Sequence, residues 1–348
     1  MDPLIFTGIP VGLAFGFALS RGRFCMNSAF RDIVVLKDYT LIKSVTVALL
    51  TSMAGFAIMV LTNTITINPK PILWAGNLVG SFIFGIGMVI AGGCASGITY
   101  RVGEGMVGAM TAVLGLMITA TLTASGFLAP VKNWLQQWKY PTEGASATVA
   151  SLFGVDYPYM ALGIVVVAVI LWVILARRNK EEAAPKQGSL LNRIFKQGWG
   201  WLPTGIAIGL VGIAAFPLSA ASGRNYPLGI TSGWVKITQL VLPSVPTENS
   251  LKWDMWLIVG IVVGAAVAAL IAKEFKFRVP KWTVLIQTFF GGALMGFGAV
   301  CSTGCNIGHV LSGIPQLSIG SLLAGLAIVL GSWLTAYLMF VRPMASGD

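Results

Sequence analysis

Along this chain, long uncharged apolar runs alternate with short polar intervals. Runs near or above the roughly 17 to 25 residues that cross a bilayer as a helix begin at Leu4, Ser44, Pro71, Gly105, Tyr157, Trp199, Met255, Thr283 and Gly320. They predict about nine transmembrane helices and an all-α integral membrane protein. The first run, Leu4 to Ser20, has no Lys or Arg before it and no convincing cleavage site after it. It therefore reads as a span rather than a removed leader.

Composition agrees with that pattern: 56% of residues are hydrophobic and 10% are charged, against about 25% charged in soluble domains. The formal net charge of +11 then means loops facing anionic lipid headgroups, and nucleic acid need not be invoked. When the nine spans are drawn in alternation, one side collects Arg21, Arg23, Arg31, Lys37, Lys43, Arg101, Lys273, Lys276, Arg278, Lys281, Arg342 and the basic residues of the link 177–198. Only Lys70, Lys132, Lys139, Arg224, Lys236 and Lys252 fall opposite. Positive loops stay in the cytoplasm, which predicts an inner-membrane protein with its N-terminus outside and its C-terminus inside.

The stretch "ARRNKEEAAPKQGSLLNRIFKQG" (176–198) is the one long polar interval and reads as a solvated cytoplasmic connector. It divides a single membrane domain into residues 1–176 and 199–348, and the two parts resemble each other. "VGLAFGFALSRGR" (11–23) echoes "IGLVGIAAFPLSAASGR" (208–224), and "GIGMVIAGGCASGI" echoes "GFGAVCSTGCNIGH". In the second pair Gly85, Gly87, Gly93, Cys94 and Gly97 match Gly296, Gly298, Gly304, Cys305 and Gly308 at a constant offset of 211. An odd number of crossings separates the copies, so they lie in the membrane with opposite polarity, the inverted-repeat arrangement of transporters.

Each part contains a Gly-rich break ending in Gly-Cys. Unwound or re-entrant backbone at membrane depth is tolerated only where it lines a cavity or is buried in protein. Glycine also lets backbone N–H groups converge on an anion, although stripes of small residues equally serve close helix packing. Of the four cysteines, Cys25 and Cys94 approach the breaks from the cytoplasmic side, and Cys301 and Cys305 from outside. A buried thiol is often only a small hydrophobe, and Cys301, where the first repeat has Ile90, keeps that reading. If the broken segments dip inward, the others form a line of sulfur across the membrane.

The segments "SRGRFCMNSAFRD", "GGCASGITYRVGEG", "GRNYPLGIT" and "GCNIG" together resemble the YeeE/YedE family of sulfur-compound transporters, whose best understood members take up thiosulfate. The resemblance covers nearly the whole chain. It implies a transporter rather than an enzyme, with Cys25, Cys94 and Cys305 as the functional thiols and with Gly93, Gly304 and Asn306 in the motif loops around them. It also implies a small cytoplasmic sulfur carrier of the TusA type as receiver of the cargo. Cys301 departs from the pattern, in which its place is commonly a non-cysteine residue.

Thiosulfate is a dianion with a soft terminal sulfur that weak S–H donors can bond. Repeated weak binding suits passage, because the ion must also leave each site. The thiols have to be protonated, since a thiolate near a dianion repels it. Arg23, Arg101 and Arg224 lie close enough to the motif loops to attract an anion; the alternative is interfacial anchoring, and for Arg101 an ion pair with Glu104. His309 is either a further donor or a hydrogen-bonded structural residue. A soft-metal transporter is a rival, given 13 Met, but no CxxC or Cys/His cluster gathers metal ligands. A thiol oxidoreductase using Cys301 and Cys305 is a second, and a structural protein a third. No nucleotide-binding motif is present and no cofactor is expected. Only Glu104 and His309 stand at span margins as groups for ion coupling.

Overall fold

Nine helices long and apolar enough to cross a membrane occur among the described residues of the computed structural model, namely 3–140, 148–178, 190–241 and 252–346. They fall where the apolar runs put them, so the chain is an all-α multi-pass membrane protein, with no strand among the described residues. The N-terminal part comprises α1 (Gly8–Arg21), α2 (Met26–Val35), α3 (Thr40–Leu61), α4 (Ser81–Ile90), α5 (Ala95–Gly103), α6 (Val107–Ser125) and α7 (Ala129–Gln136). A short turn α8 (Val149–Leu152), the long helix α9 (Tyr157–Arg178) and α10 (Leu190–Phe195) lead across. The C-terminal part contains α11 (Trp201–Ala221), α12 (Thr231–Val241), α13 (Trp253–Ile271), α14 (Trp282–Cys301), a π-helical turn Ile307–Gly313 and α15 (Ile319–Ala336). Residues 179–189, half of the connector 177–198, lie outside the described residues.

The packing has a regular plan. Helix α1 lies on α13 and α11 lies on α3, while α6 lies on α14, α15 on α4, and α4 and α14 cross each other. Exchanging each long helix of one part for its match in the other leaves these pairings unchanged. Helix α9 has no such match. Only 11% of its most apolar stretch is buried in protein, against 44 to 61% for the other spans, and Val166, Val167, Ile170 and Leu171 are exposed.

Between lipid-embedded helices the hydrophobic effect supplies little attraction, so close packing of small residues carries the contact. At the α4–α14 crossing a methyl group on Gly80 would lie 2.8 Å from the Gly298 carbonyl oxygen, and one on Gly87 would lie 2.7 Å from that of Gly291. The residue numbers run in opposite directions, as antiparallel helices require, and both contacts map onto each other under the offset of 211.

The same offset relates the two breaks bond by bond. The N–H groups of Ala91, Gly92 and Gly93 donate to the carbonyls of Gly87, Val89 and Met88. Those of Ser302, Thr303 and Gly304 donate to Gly298, Val300 and Ala299. Both turns need one residue with left-handed backbone: Gly92 at φ +68° and Thr303 at φ +62°. Glycine adopts this freely, whereas a β-branched residue there is strained. Such strain persists only where surrounding contacts hold it.

Two short helices fall in intervals between the apolar runs, and one expected pairing is corrected. Residues 26–35, in the interval after the first apolar run, form α2, anchored to α15 by the Trp333 indole N–H donating to Phe30 O at 3.0 Å. The region 131–157 contains α7, whose Gln136 amide donates to the carbonyls of Val300 and Cys301 at 3.0 and 3.1 Å. Arg101 does not pair with Glu104. Its guanidinium donates to Gly92 O at 2.7 Å, bracing the break, and Glu104 instead accepts from Ser20 Oγ at 2.7 Å.

Candidate functional site

Helices α2 and α5 each begin at a cysteine. Cys25 is the N-cap of α2, and Cys94 is the N-cap of α5, where its sulfur accepts the Gly97 N–H at 3.3 Å. Caps are usually oxygen side chains, so sulfur here is a departure with a consequence: both thiols sit at the positive ends of helices. They are fully buried, and Cys25 Sγ donates to Cys94 Sγ at 3.8 Å. Gly97 makes room for the pair, since a methyl group there would lie 2.8 Å from Cys25 Sγ and 3.3 Å from Cys94 Sγ.

Asn306, fully buried, joins the two breaks. Its Oδ1 accepts the N–H of Ala95 at 3.3 Å, and its Nδ2 points at Met26 Sδ, 3.2 Å away. Ala95 follows Cys94 and Asn306 follows Cys305, so the residues after the matched cysteines touch across the centre. Asn27, in the first turn of α2, is also fully buried, and neither its amide nitrogen nor its oxygen has a partner among the described residues. An amide left without any hydrogen bond costs stability and calls for a polar ligand or water.

On the Cys305 side opens a cavity of about 1280 Å³, lined by Lys70, Arg224, Tyr226, Lys236, Lys252, Cys305 and Gly308, among others. Four of the six cations assigned to the outer side thus face one space. The loop carrying Lys70 is pinned by Asn68 N–H donating to Gln316 Oε1 at 2.8 Å and by Ser318 Oγ donating to Lys70 O at 3.2 Å. The Lys70 ammonium donates to the carbonyl of the strained Thr303 and lies 5.1 Å from the Tyr226 ring centre. Arg224 is fixed by bonds from Nη1 to the carbonyls of Tyr226 and Pro227, at 2.7 and 2.9 Å, and lies over the Trp253 ring at 5.6 Å. Tyr226 Oη donates to Gly308 O at 2.6 Å, tying this loop to the second break. Burial pulls the Lys70 ammonium down to about 8 from the usual 10.5, and the nearby Arg224 charge acts in the same direction.

The sites expected from sequence divide clearly. Cys25 and Cys94 form the buried thiol pair with Asn306 and the buried Gly93 beside it, and Cys305, Gly304 and Arg224 line the cationic cavity. Arg23 turns away from both: its side chain is 58% exposed and pairs with Glu274 at 3.1 Å, beside Arg21 at 2.6 Å from the same carboxylate. His309 has both ring nitrogens engaged, with Ser302 O at 2.9 Å and Ser321 Oγ at 3.3 Å, and braces the second break. Cys301 packs in a separate cluster with Ala75 and Leu135. Among the described residues no three His, Cys, Asp or Glu side chains gather as a metal site. From sequence Lys70 stood out only as one cation among six on its side and Gly97 only as a repeat match, while Met26 and Asn27 lay unremarked inside the quoted "SRGRFCMNSAFRD". Tyr226 lay inside the quoted "GRNYPLGIT", which was its only signal.

The two half-sites therefore differ in chemistry: charge and one thiol in the cationic cavity, two thiols and amides at the buried pair. Residues 21–334 match the family described as Sulphur transport. The thiosulfate transporter TsuA of Spirochaeta thermophila is 40% identical over 349 residues, covering 97% of this chain and 100% of that protein. The thiosulfate transporter TsuA of Escherichia coli is 31% identical over 349 residues, covering 99% and 97%. A probable transporter of Escherichia coli, YedE, is 35% identical over 115 residues, 32% of this chain and 28% of its own length.

Proposed function

The chain belongs to the Sulphur transport family, and on that premise we propose that it carries thiosulfate into the cell along a path from the cationic cavity past Cys305 to the Cys25–Cys94 pair. The observation that carries this reading is the order of groups: Lys70 and Arg224 at the cavity, Cys305 at its floor, the Asn306–Met26 contact, then the paired thiols. Cations attract the dianion without gripping it in one geometry. Asn306 and Met26 close the centre between the two half-sites, so passage requires that contact to part. The thiols then offer weak donors to the soft terminal sulfur, and the Asn27 amide can serve the oxygens.

The exchangeable helix pairings and the matched breaks support an inverted-repeat architecture, with 1–176 and 199–348 as the two repeats and α9 supplying the extra crossing that turns the second over. The clustering of Lys70, Arg224, Lys236 and Lys252 supports placing the cavity outside the inner membrane, with the N-terminus outside and the C-terminus in the cytoplasm. There the basic loops meet lipid headgroups, and a TusA-type carrier would take the product.

Purified protein in liposomes is expected to take up labelled thiosulfate and to discriminate against sulfate, which has the charge but lacks the soft sulfur. Equal entry of sulfate would remove the role given to the thiols. For orientation, a single cysteine at Lys139 in a Cys-free background should react with an impermeant maleimide from outside only. One at Lys186, beyond the described residues, should react only after the cytoplasmic face is opened. The reverse labelling would invert the path.

A further inference from the structure

Each break holds a cation against its backbone, and the two cations are not repeat partners. Gly92 and Thr303, matched by the offset of 211, each offer a carbonyl: Arg101 Nη1 donates to Gly92 O at 2.7 Å, and the Lys70 ammonium donates to Thr303 O. The glycine that follows is matched as well and leaves space for the same cation. A methyl group on Gly93 would lie 3.1 Å from Arg101 Nη1, and one on Gly304 would strike the Lys70 ammonium. Yet the offset takes Arg101 to Ser312 and Lys70 to Lys281. A cation thus stands beside each Gly-Cys although a different element supplies it, α5 at the first break and the loop after α3 at the second.

The surroundings of Arg101 leave its charge open to a ligand. Gly97, which makes room for both buried thiols, lies one turn before Arg101 on α5, so the two share a face. Gly92 is exposed, with nothing within 4 Å of the place where a side chain would start, so the first break is open beside the partly exposed Arg101. Arg21 and Arg23 share Glu274, and Arg31 pairs with Asp32. Arg101 has no carboxylate within 4 Å among the described residues, and Glu104, three residues on, accepts from Ser20 Oγ at 2.7 Å. Asn27, two residues after Cys25 and fully buried, has both amide atoms unsatisfied among the described residues.

Resting on the transport reading above, we propose that Arg101, Cys25 and Cys94 form a second anion site, the counterpart of Lys70 and Cys305, which takes thiosulfate on the other side of the Asn306–Met26 contact. The guanidinium has more N–H donors than the Gly92 carbonyl uses and turns them to the anion oxygens. The thiols meet the terminal sulfur, and the Asn27 amide gains the partner it lacks. The dianion then passes from cation and thiol to thiol and cation. A charge on each side of the closed centre keeps the two ends comparable in energy, as stepwise passage requires.

The test is thiosulfate binding to the purified full-length protein in detergent, where both faces meet the solution. Calorimetry should count two anions per wild-type chain. Arg101→Gln still offers an amide donor to the Gly92 carbonyl but carries no charge. It should count one, its second site weakened about tenfold to hundredfold by loss of a charged donor. Arg101→Lys keeps the charge and should count two. A role confined to bracing the break predicts instead that Arg101→Gln binds two. One anion per wild-type chain, a second site that survives in Arg101→Gln, or one that Arg101→Lys loses overturns the proposal. Folded wild-type protein that binds no thiosulfate overturns the transport reading itself.

Discussion

Replacing Cys94 by alanine is expected to lower thiosulfate uptake about tenfold to hundredfold, the loss of one hydrogen bond to a charged acceptor at roughly 1.5 to 3 kcal/mol. The position is demanding because Cys94 does three things at once. Its sulfur caps α5, accepts from Cys25 and lies next to the Ala95 N–H that holds Asn306. Cys94→Ser should lose less than Cys94→Ala, since a hydroxyl still caps the helix and still donates, though to a harder and shorter bond. Cys25→Ala should leave binding from outside nearly intact while uptake falls, because Cys25 acts after the Asn306–Met26 contact. Cys305→Ala, at the cavity floor, should weaken capture. Cys301→Ala should be close to neutral, because that side chain packs with Ala75 and Leu135 and does not line the cavity. Uptake into liposomes, measured beside thiosulfate binding by the same purified variants, separates these outcomes. Normal transport by both Cys94→Ala and Cys305→Ala would leave the thiols as packing residues and end the relay.

Capture from outside should be lost as external pH rises through about 8, the value to which burial lowers the Lys70 ammonium. The sign follows from the charge: below that pH Lys70 is a cation and attracts the dianion, and above it the neutral amine does not. Bound thiosulfate favours the ammonium, so the midpoint should move upward at saturating anion. Lys70→Arg keeps its charge at all these pH values and should hold capture constant across the range. Lys70→Met should bind weakly at every pH, about tenfold or more below wild type, as removal of one charged donor implies. Binding measured against pH for the three proteins decides the matter, and an alkaline loss that survives in Lys70→Arg would assign the titration to another group. Added salt should weaken capture by the wild type more than by Lys70→Met, because the cavity acts on the anion through charge.

The apolar runs by themselves determined the fold class and the number of spans, because crossing a bilayer requires about twenty consecutive apolar residues and a helix satisfies its own backbone. The spacing of Gly93, Cys94, Gly304 and Cys305 was enough to mark two matched breaks, since the turn they make is local and its hydrogen bonds close within six residues. Grouping the cations by side also anticipated that Lys70, Arg224, Lys236 and Lys252 share a face, though not that they share one cavity. Beyond that, sequence was silent or misleading. Arg23 and Arg224 sit at matching ends of the echoed segments, yet one pairs with Glu274 at the surface and the other lines the cavity. Arg101 and Glu104 are three apart on a helix and still take other partners. The Cys25–Cys94 pair spans 69 residues, the Ala95–Asn306 bond 211 and the Met26–Asn306 contact 280. Such meetings depend on how helices cross, and the crossings are set by close approach of backbones at glycines such as Gly80 and Gly298. Runs of apolar residues fix what lies in the membrane, while only the tertiary packing decides which thiol, amide and cation face one another.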